Sequence, residues 1–172
     1  MNYWKKLVSV LALGIFLTGC GACEKGVEYL EQGEYALAEE TFQKAIDKEQ
    51  NAEEAYRGLG IAYWEEQEYE KCAEALKSAL GYGGPETSAI YAMIANCEME
   101  LQNYEEAAKF YVLGIECEDA DAELMQEMEF NLIAAYEKQG ELELAKEKLS
   151  EYVVKYPEDE KAAKEALFLE TR

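Results

Sequence analysis

The chain has 172 residues and a mass of 19.5 kDa, enough for one domain or one short repeat array. Its 37 acidic side chains against 16 basic ones give a net charge of −21, which excludes nucleic acid as a partner, since phosphates need clustered cations. The absence of histidine removes the Ser-His-Asp and Cys-His nucleophile systems, imidazole metal sites and the usual general base near neutral pH. Nearly all of the acid is glutamate, only Asp47, Asp119, Asp121 and Asp159 being aspartate. Glutamate favours helix interiors, so the expected fold is all-α with no enzymatic centre and no cofactor.

Residues 1–19 read as an address. Lys5 and Lys6 precede an apolar run from Leu7 to Leu17, followed by Thr18, Gly19 and Cys20. This is a charged start, a short apolar stretch and a small-residue cleavage site. The run falls short of the roughly 20 apolar residues that a membrane span needs. Leu17-Thr18-Gly19-Cys20 resembles the lipobox of bacterial lipoproteins. The resemblance implies cleavage before Cys20, a lipid on its sulfur, and an extracytoplasmic protein anchored to a bacterial membrane. Cleavage would leave 14 basic and 37 acidic side chains, so an anionic surface would repel the body and the lipid would carry the attachment.

From there the chain repeats itself every 34 residues. Tyr56, Leu59, Gly60 and Tyr63 mark one face of a helix, and Cys72, Leu76, Ala79 and Leu80 mark a second after a turn. The order Gly26, Tyr29, Gly33, Tyr35, Ala38, Phe42, Ala45, Ile46 stands 34 residues earlier. It returns downstream as Tyr91, Ile94, Ala95, Tyr104, Ala107, Tyr111, Gly114, Ile115. It returns again, after four inserted residues from Ala122 to Met125, as Leu132, Ile133, Tyr136, Gly140, Leu142, Ala145, Leu149, Pro157. Small residues let paired helices approach and large ones fill the remaining space.

This period resembles the tetratricopeptide repeat over 19–52, 53–86, 88–121 and 126–159. The resemblance implies a right-handed α-solenoid of about four helix-turn-helix repeats. The expected division is a signal peptide at 1–19, a lipidated N-terminus and short tether at 20–25, the repeat array at 26–159 and a capping helix at 160–172, with Ala163, Ala166, Leu167 and Glu170 on helical spacing. Gly33 and Gly140 stand where a first helix must stop, while Gln67 and Gln102 replace them in the middle repeats and should strain those turns. Ala22 and Lys25 occupy places that the pattern fills with large apolar residues, so the first helix should be short or frayed. Glu98 replaces an aromatic and Tyr152 a small residue.

Chemistry candidates reduce to structure. Acylation of Cys20 would disable a Cys20–Cys23 redox motif. Cys72, Cys97 and Cys117 lack zinc spacing and read as buried thiols, with a Cys72–Cys97 disulfide as the alternative. The acidic junction of Glu116, Glu118, Asp119, Asp121 and Glu123 reads as solvated surface, and Gly81 to Pro85 as a turn without a phosphate-binding lysine.

By the resemblance, first helices line a concave groove whose ligand-facing positions hold Arg57, Ile61 and Trp64, then Ala92, Asn96 and Met99, then Phe130, Ala134 and Glu137. Arg57 and Asn96 are too few for a clamp on a peptide carboxylate. The expected partner is a protein segment, extended or helical, with apolar anchors and basic flanks. The alternative is a structural envelope lipoprotein that self-associates without a peptide ligand.

Overall fold

The computed structural model describes residues 21–169, and the described residues form nine α-helices. Helices α1 (Gly21–Gln32) and α2 (Tyr35–Asp47) pair, as do α3 (Ala52–Glu65) with α4 (Tyr69–Gly81) and α5 (Ser88–Glu100) with α6 (Tyr104–Glu116). Helices α7 (Ala122–Gln139) and α8 (Leu142–Lys155) make the fourth pair, and α9 (Glu160–Leu169) closes the stack. Each helix packs on the next, and first helices also touch across pairs, α1 on α3 and α5 on α7, so that they share one layer. Among the described residues, no helix is long and apolar enough to cross a membrane.

The turns explain the period. In all four pairs two backbone bonds close the first helix. In the second pair the Gln67 N–H donates to the Trp64 carbonyl at 3.0 Å and the Glu68 N–H to that of Tyr63 at 2.8 Å. The same bonds recur at Gly33–Glu34, Gln102–Asn103 and Gly140–Glu141. This Schellman geometry needs a left-handed residue, and Gly33 (φ 75°), Gln67 (φ 62°), Gln102 (φ 63°) and Gly140 (φ 85°) supply it. A left-handed non-glycine residue costs roughly 1–2 kcal/mol, against about 0.5–1 kcal/mol for the extra chain freedom of glycine. Gln67→Gly and Gln102→Gly should each therefore stabilise the protein by a few tenths to about 1 kcal/mol. Thermal melts of the single and double variants check this, and a lowered midpoint would show that the glutamines hold the turns by other means.

The core follows the small and large sets. Phe42 is fully buried and its ring lies against Gly26 of α1 and Gly58 of α3, while Leu76 lies against Gly60 and Met128 against Gly114. One apolar cluster runs from Cys23 through Phe42, Leu76, Ile94 and Tyr111 to Leu132. A second, smaller one holds Ile133, Ala145, Leu149, Tyr152 and Ala162. Two opposite faces of α7 thus serve two cores.

Several sequence expectations are corrected here. Gly21 to Lys25, expected as tether, form the first turns of α1, whose Cys23 is fully buried; the helix is anchored by Cys23, Val27 and Leu30 rather than frayed. Ala122 to Met125 extend α7 by a turn, with the Asp121 carboxylate accepting from the Leu124 N–H at 2.8 Å. In α9 the buried side chain is Ala162, with Ala166 half-buried, whereas Ala163 and Leu167 are exposed. Glu170 and the lipobox with Cys20 lie outside the described residues.

Glu98, which departs from the pattern, has partners. Buried Glu98 accepts from Lys77 Nζ at 2.6 Å and from Asn103 Nδ2 at 2.9 Å, linking the second pair to the third. Tyr63, at the equivalent place one repeat earlier, donates to Glu39 at 2.9 Å, and burial together with that carboxylate pushes its hydroxyl up to about 12. Cys72 and Cys97 are fully buried thiols. Contact with the Cys72 thiol, with burial, holds Cys97 well above the usual thiol range.

Candidate functional site

The nine expected ligand-facing positions separate into two groups. Arg57, Trp64, Met99, Phe130, Ala134 and Glu137 are half-buried and present surface. Ile61, Ala92 and Asn96 are each 1% exposed and present none. Ile61 and Ala92 belong to the main apolar cluster. The Asn96 amide oxygen accepts from the buried Tyr111 hydroxyl, so its polarity is satisfied inside the fold. These three therefore leave the candidate groove.

What remains are half-buried Arg57, Trp64, Met99, Phe130, Ala134 and Glu137 at matching places on α3, α5 and α7, a candidate strip. The Trp64 ring sits 5.3 Å from that of Tyr69, tilted by 58°, so α4 supports it from behind. Burial lowers the Arg57 guanidinium below its usual value, opposed by Glu54 and Glu53 on the same helix. Burial raises the Glu137 carboxyl, helped by Glu165.

The strip ends in a cleft of about 500 Å³ between α7, the end of α8 and α9. Phe130 forms one wall, 5.5 Å from the Tyr152 ring. The Tyr152 hydroxyl accepts from Gln126 Nε2 at 3.1 Å and donates to Asp159 at 3.0 Å. The other Asp159 oxygen accepts from the Lys161 and Ala162 N–H groups at 3.0 Å, capping α9. Lys161 Nζ lies 4.8 Å from the centre of the Phe130 ring. Glu127 and Asn131 complete the lining. Burial raises the Glu127 carboxyl, with Glu123 adding repulsion.

Ile133 and Tyr152 are large where other pairs have Gly60 with Ala79, or Ala95 with Gly114, and Tyr152 lines the cleft. Both are buried together in the small C-terminal cluster. The sequence reading missed Gln126, Asn131 and Lys161. Asn131 stands one turn from Glu127 on the Phe130 side, a helical spacing that was available, while Lys161 was hidden by the misjudged register of α9.

In the acidic junction Glu116, Glu118 and Glu123 are exposed, while Asp119 accepts from the Ser88 N–H at 2.9 Å and its hydroxyl at 2.6 Å, and Asp121 caps α7. Among the described residues no group of three metal-ligating side chains converges.

Comparison with known proteins agrees with this geometry. A family model described as Tetratricopeptide repeat matches residues 23–73 and 62–115, more than half of the chain, and a second of the same description matches 128–159. No curated protein matches the sequence. The solved structure described as "YrrB: a TPR protein with an unusual peptide-binding site" is similar at a TM-score of 0.75 and 17% identity, over 94% of this chain and 81% of that one. MamA is similar at a TM-score of 0.70 and 16% identity, over 84% and 81%. The Cut9-Hcn1 hetero-tetramer of the APC/C contains a chain similar at 0.63 and 17%, over 86% of this chain and 29% of that one.

Proposed function

Since the chain belongs to the tetratricopeptide-repeat family, we propose that it is a binding scaffold whose first helices receive a segment of another protein, and that a lipid on Cys20 holds it to the outer side of a bacterial membrane. The observation that carries the binding reading is the strip of Arg57, Trp64, Met99, Phe130, Ala134 and Glu137, half-buried and largely apolar, on a molecule of net charge −21. Apolar anchors in such a strip would supply most of the affinity, and opposite charge would speed encounter with a segment carrying basic flanks. The peptide-binding site named in the YrrB description makes a peptide ligand a reasonable kind of partner for this architecture. Self-association fits less well, because a second copy brings the same charge.

Selection of a random peptide library on the full chain in detergent should return sequences with apolar anchors beside lysine or arginine. Trp64→Ala combined with Met99→Ala should weaken the selected peptides by roughly tenfold or more, with the circular dichroism still helical. Undiminished binding by the folded double variant would remove the strip as the site.

The anchoring reading rests on Leu17-Thr18-Gly19-Cys20 behind its charged and apolar stretches. Serine in place of Cys20 offers no thioether sulfur. Cys20→Ser should therefore stay unprocessed and lose metabolic labelling by a radioactive fatty acid. A processed, labelled Cys20→Ser protein would dismiss the lipid.

A further inference from the structure

We propose that the cleft between α7 and α9 is a subsite for one cationic side chain of the partner, arginine above lysine, and that Lys161 of the chain's own last helix occupies it until the partner arrives. The inference rests on the binding reading above and names the chemistry of one end of the strip.

Lys161 is the observation that points to a cation. Its ammonium lies over the Phe130 ring at 4.8 Å, and among the described residues it forms no ion pair. The exposed side chain is held at the cleft by the negative face of the ring, a weak contact open to solvent, so exchange is cheap. Of the neighbouring acids, Glu160 pairs with Lys164, and Asp159 directs its two oxygens to the Lys161 and Ala162 N–H groups and to the Tyr152 hydroxyl, leaving Lys161 Nζ only a longer-range attraction to it.

The lining favours a better-matched cation. Gln126 spends its amide nitrogen on Tyr152 and keeps its carbonyl as an acceptor. Glu127 is a half-buried carboxylate that burial and Glu123 hold above the usual range, a condition that a nearby positive charge relieves. A planar guanidinium can stack on Phe130 while directing its N–H groups to Glu127 and Gln126, which an ammonium on a single stem cannot do at once. The cleft, about 500 Å³, falls within the range of roughly 300–1,000 Å³ common for small-ligand pockets. The net charge of −21 favours a basic partner over a second copy of this chain as the source.

The test titrates the full chain in detergent with acetyl-arginine amide, acetyl-lysine amide and acetyl-norleucine amide, following the ring signals of Phe130 and Tyr152 by NMR. Saturable shifts are expected in the order arginine, lysine, with none from norleucine. Lys161→Met should tighten the arginine probe by about 2–5-fold, the worth of one displaced cation on a ring. Lys44→Met, which removes an equal charge on α2, should leave it unchanged. Phe130→Leu should abolish the Tyr152 shifts while the protein stays helical.

Equal binding of norleucine, absence of shifts, or identical effects of Lys161→Met and Lys44→Met would overturn the subsite. Failure here with selected peptides still sensitive to Trp64 and Met99 discards the subsite and keeps the strip. Fragment binding without any selected peptide does the reverse.

Discussion

Phe42→Ala should destabilise the protein by about 3–5 kcal/mol, and Gly58→Ala alone should destabilise it by about 1–3 kcal/mol, yet Gly58→Ala added to Phe42→Ala should stabilise. The first loss follows from a fully buried ring shared by α1, α2 and α3. The second follows from geometry: a Cβ on Gly26 would stand 2.5 Å from Phe42 Cε1, and one on Gly58 would stand closer still to the same ring. Contacts that short force the ring or a helix to move. Once the ring is gone, the obstacle goes with it, and what remains is the ordinary helix preference of alanine over glycine, about 1 kcal/mol. Urea denaturation of the four proteins reads the sign change directly. Equal penalties in both backgrounds would mean that the ring does not dictate the glycine.

Tyr152→Ala should cost a similar amount, about 3–5 kcal/mol, but the loss should stay at one end. Tyr152 is buried in the small C-terminal cluster, its ring tilted against those of Phe130 and Tyr156, and its hydroxyl joins Gln126 of α7 to the cap of α9. In a stack of nearest neighbours, weakening the last interface opens the last units first. Hydrogen exchange should therefore accelerate in α8 and α9 while α1 to α6 keep their protection. Tyr152→Phe should remove only the hydroxyl's share, about 1 kcal/mol. Uniform acceleration along the whole chain would indicate one cooperative unit instead of a graded stack.

Much of the architecture was legible because its causes are local. Gly26 against Phe42 and Gly60 against Leu76, 34 residues apart, and the glycine stops at Gly33 and Gly140 leave their residue types at matching places in the chain, and the period reports them. The candidate groove was less legible because facing a ligand and facing a neighbour use the same helical spacing. Ile61 and Asn96 stand at ligand-facing intervals yet are covered, the first by apolar neighbours and the second by Tyr111 from the paired helix. Only the distance between helices decides that, and the pattern does not encode it. In α9, adjacent alanines at 162 and 163 make two registers equally apolar, and no following repeat breaks the tie. The structure buries Ala162, and that choice swings Lys161 onto Phe130.

The position of α1 bears on how far the scaffold can reach. Gly21, one residue beyond the proposed lipid-bearing sulfur, is already helical, and Cys23 is locked into the core. On that anchoring the protein has no leash. A flexible linker would let it sweep a volume that grows with linker length and would dilute it over that volume. A body mounted directly on its acyl chains instead samples a thin layer above the leaflet, meeting other residents of the same layer by lateral diffusion at high local concentration. Its capture radius is then its own length, so targets that sit farther from the bilayer must extend a segment down to it.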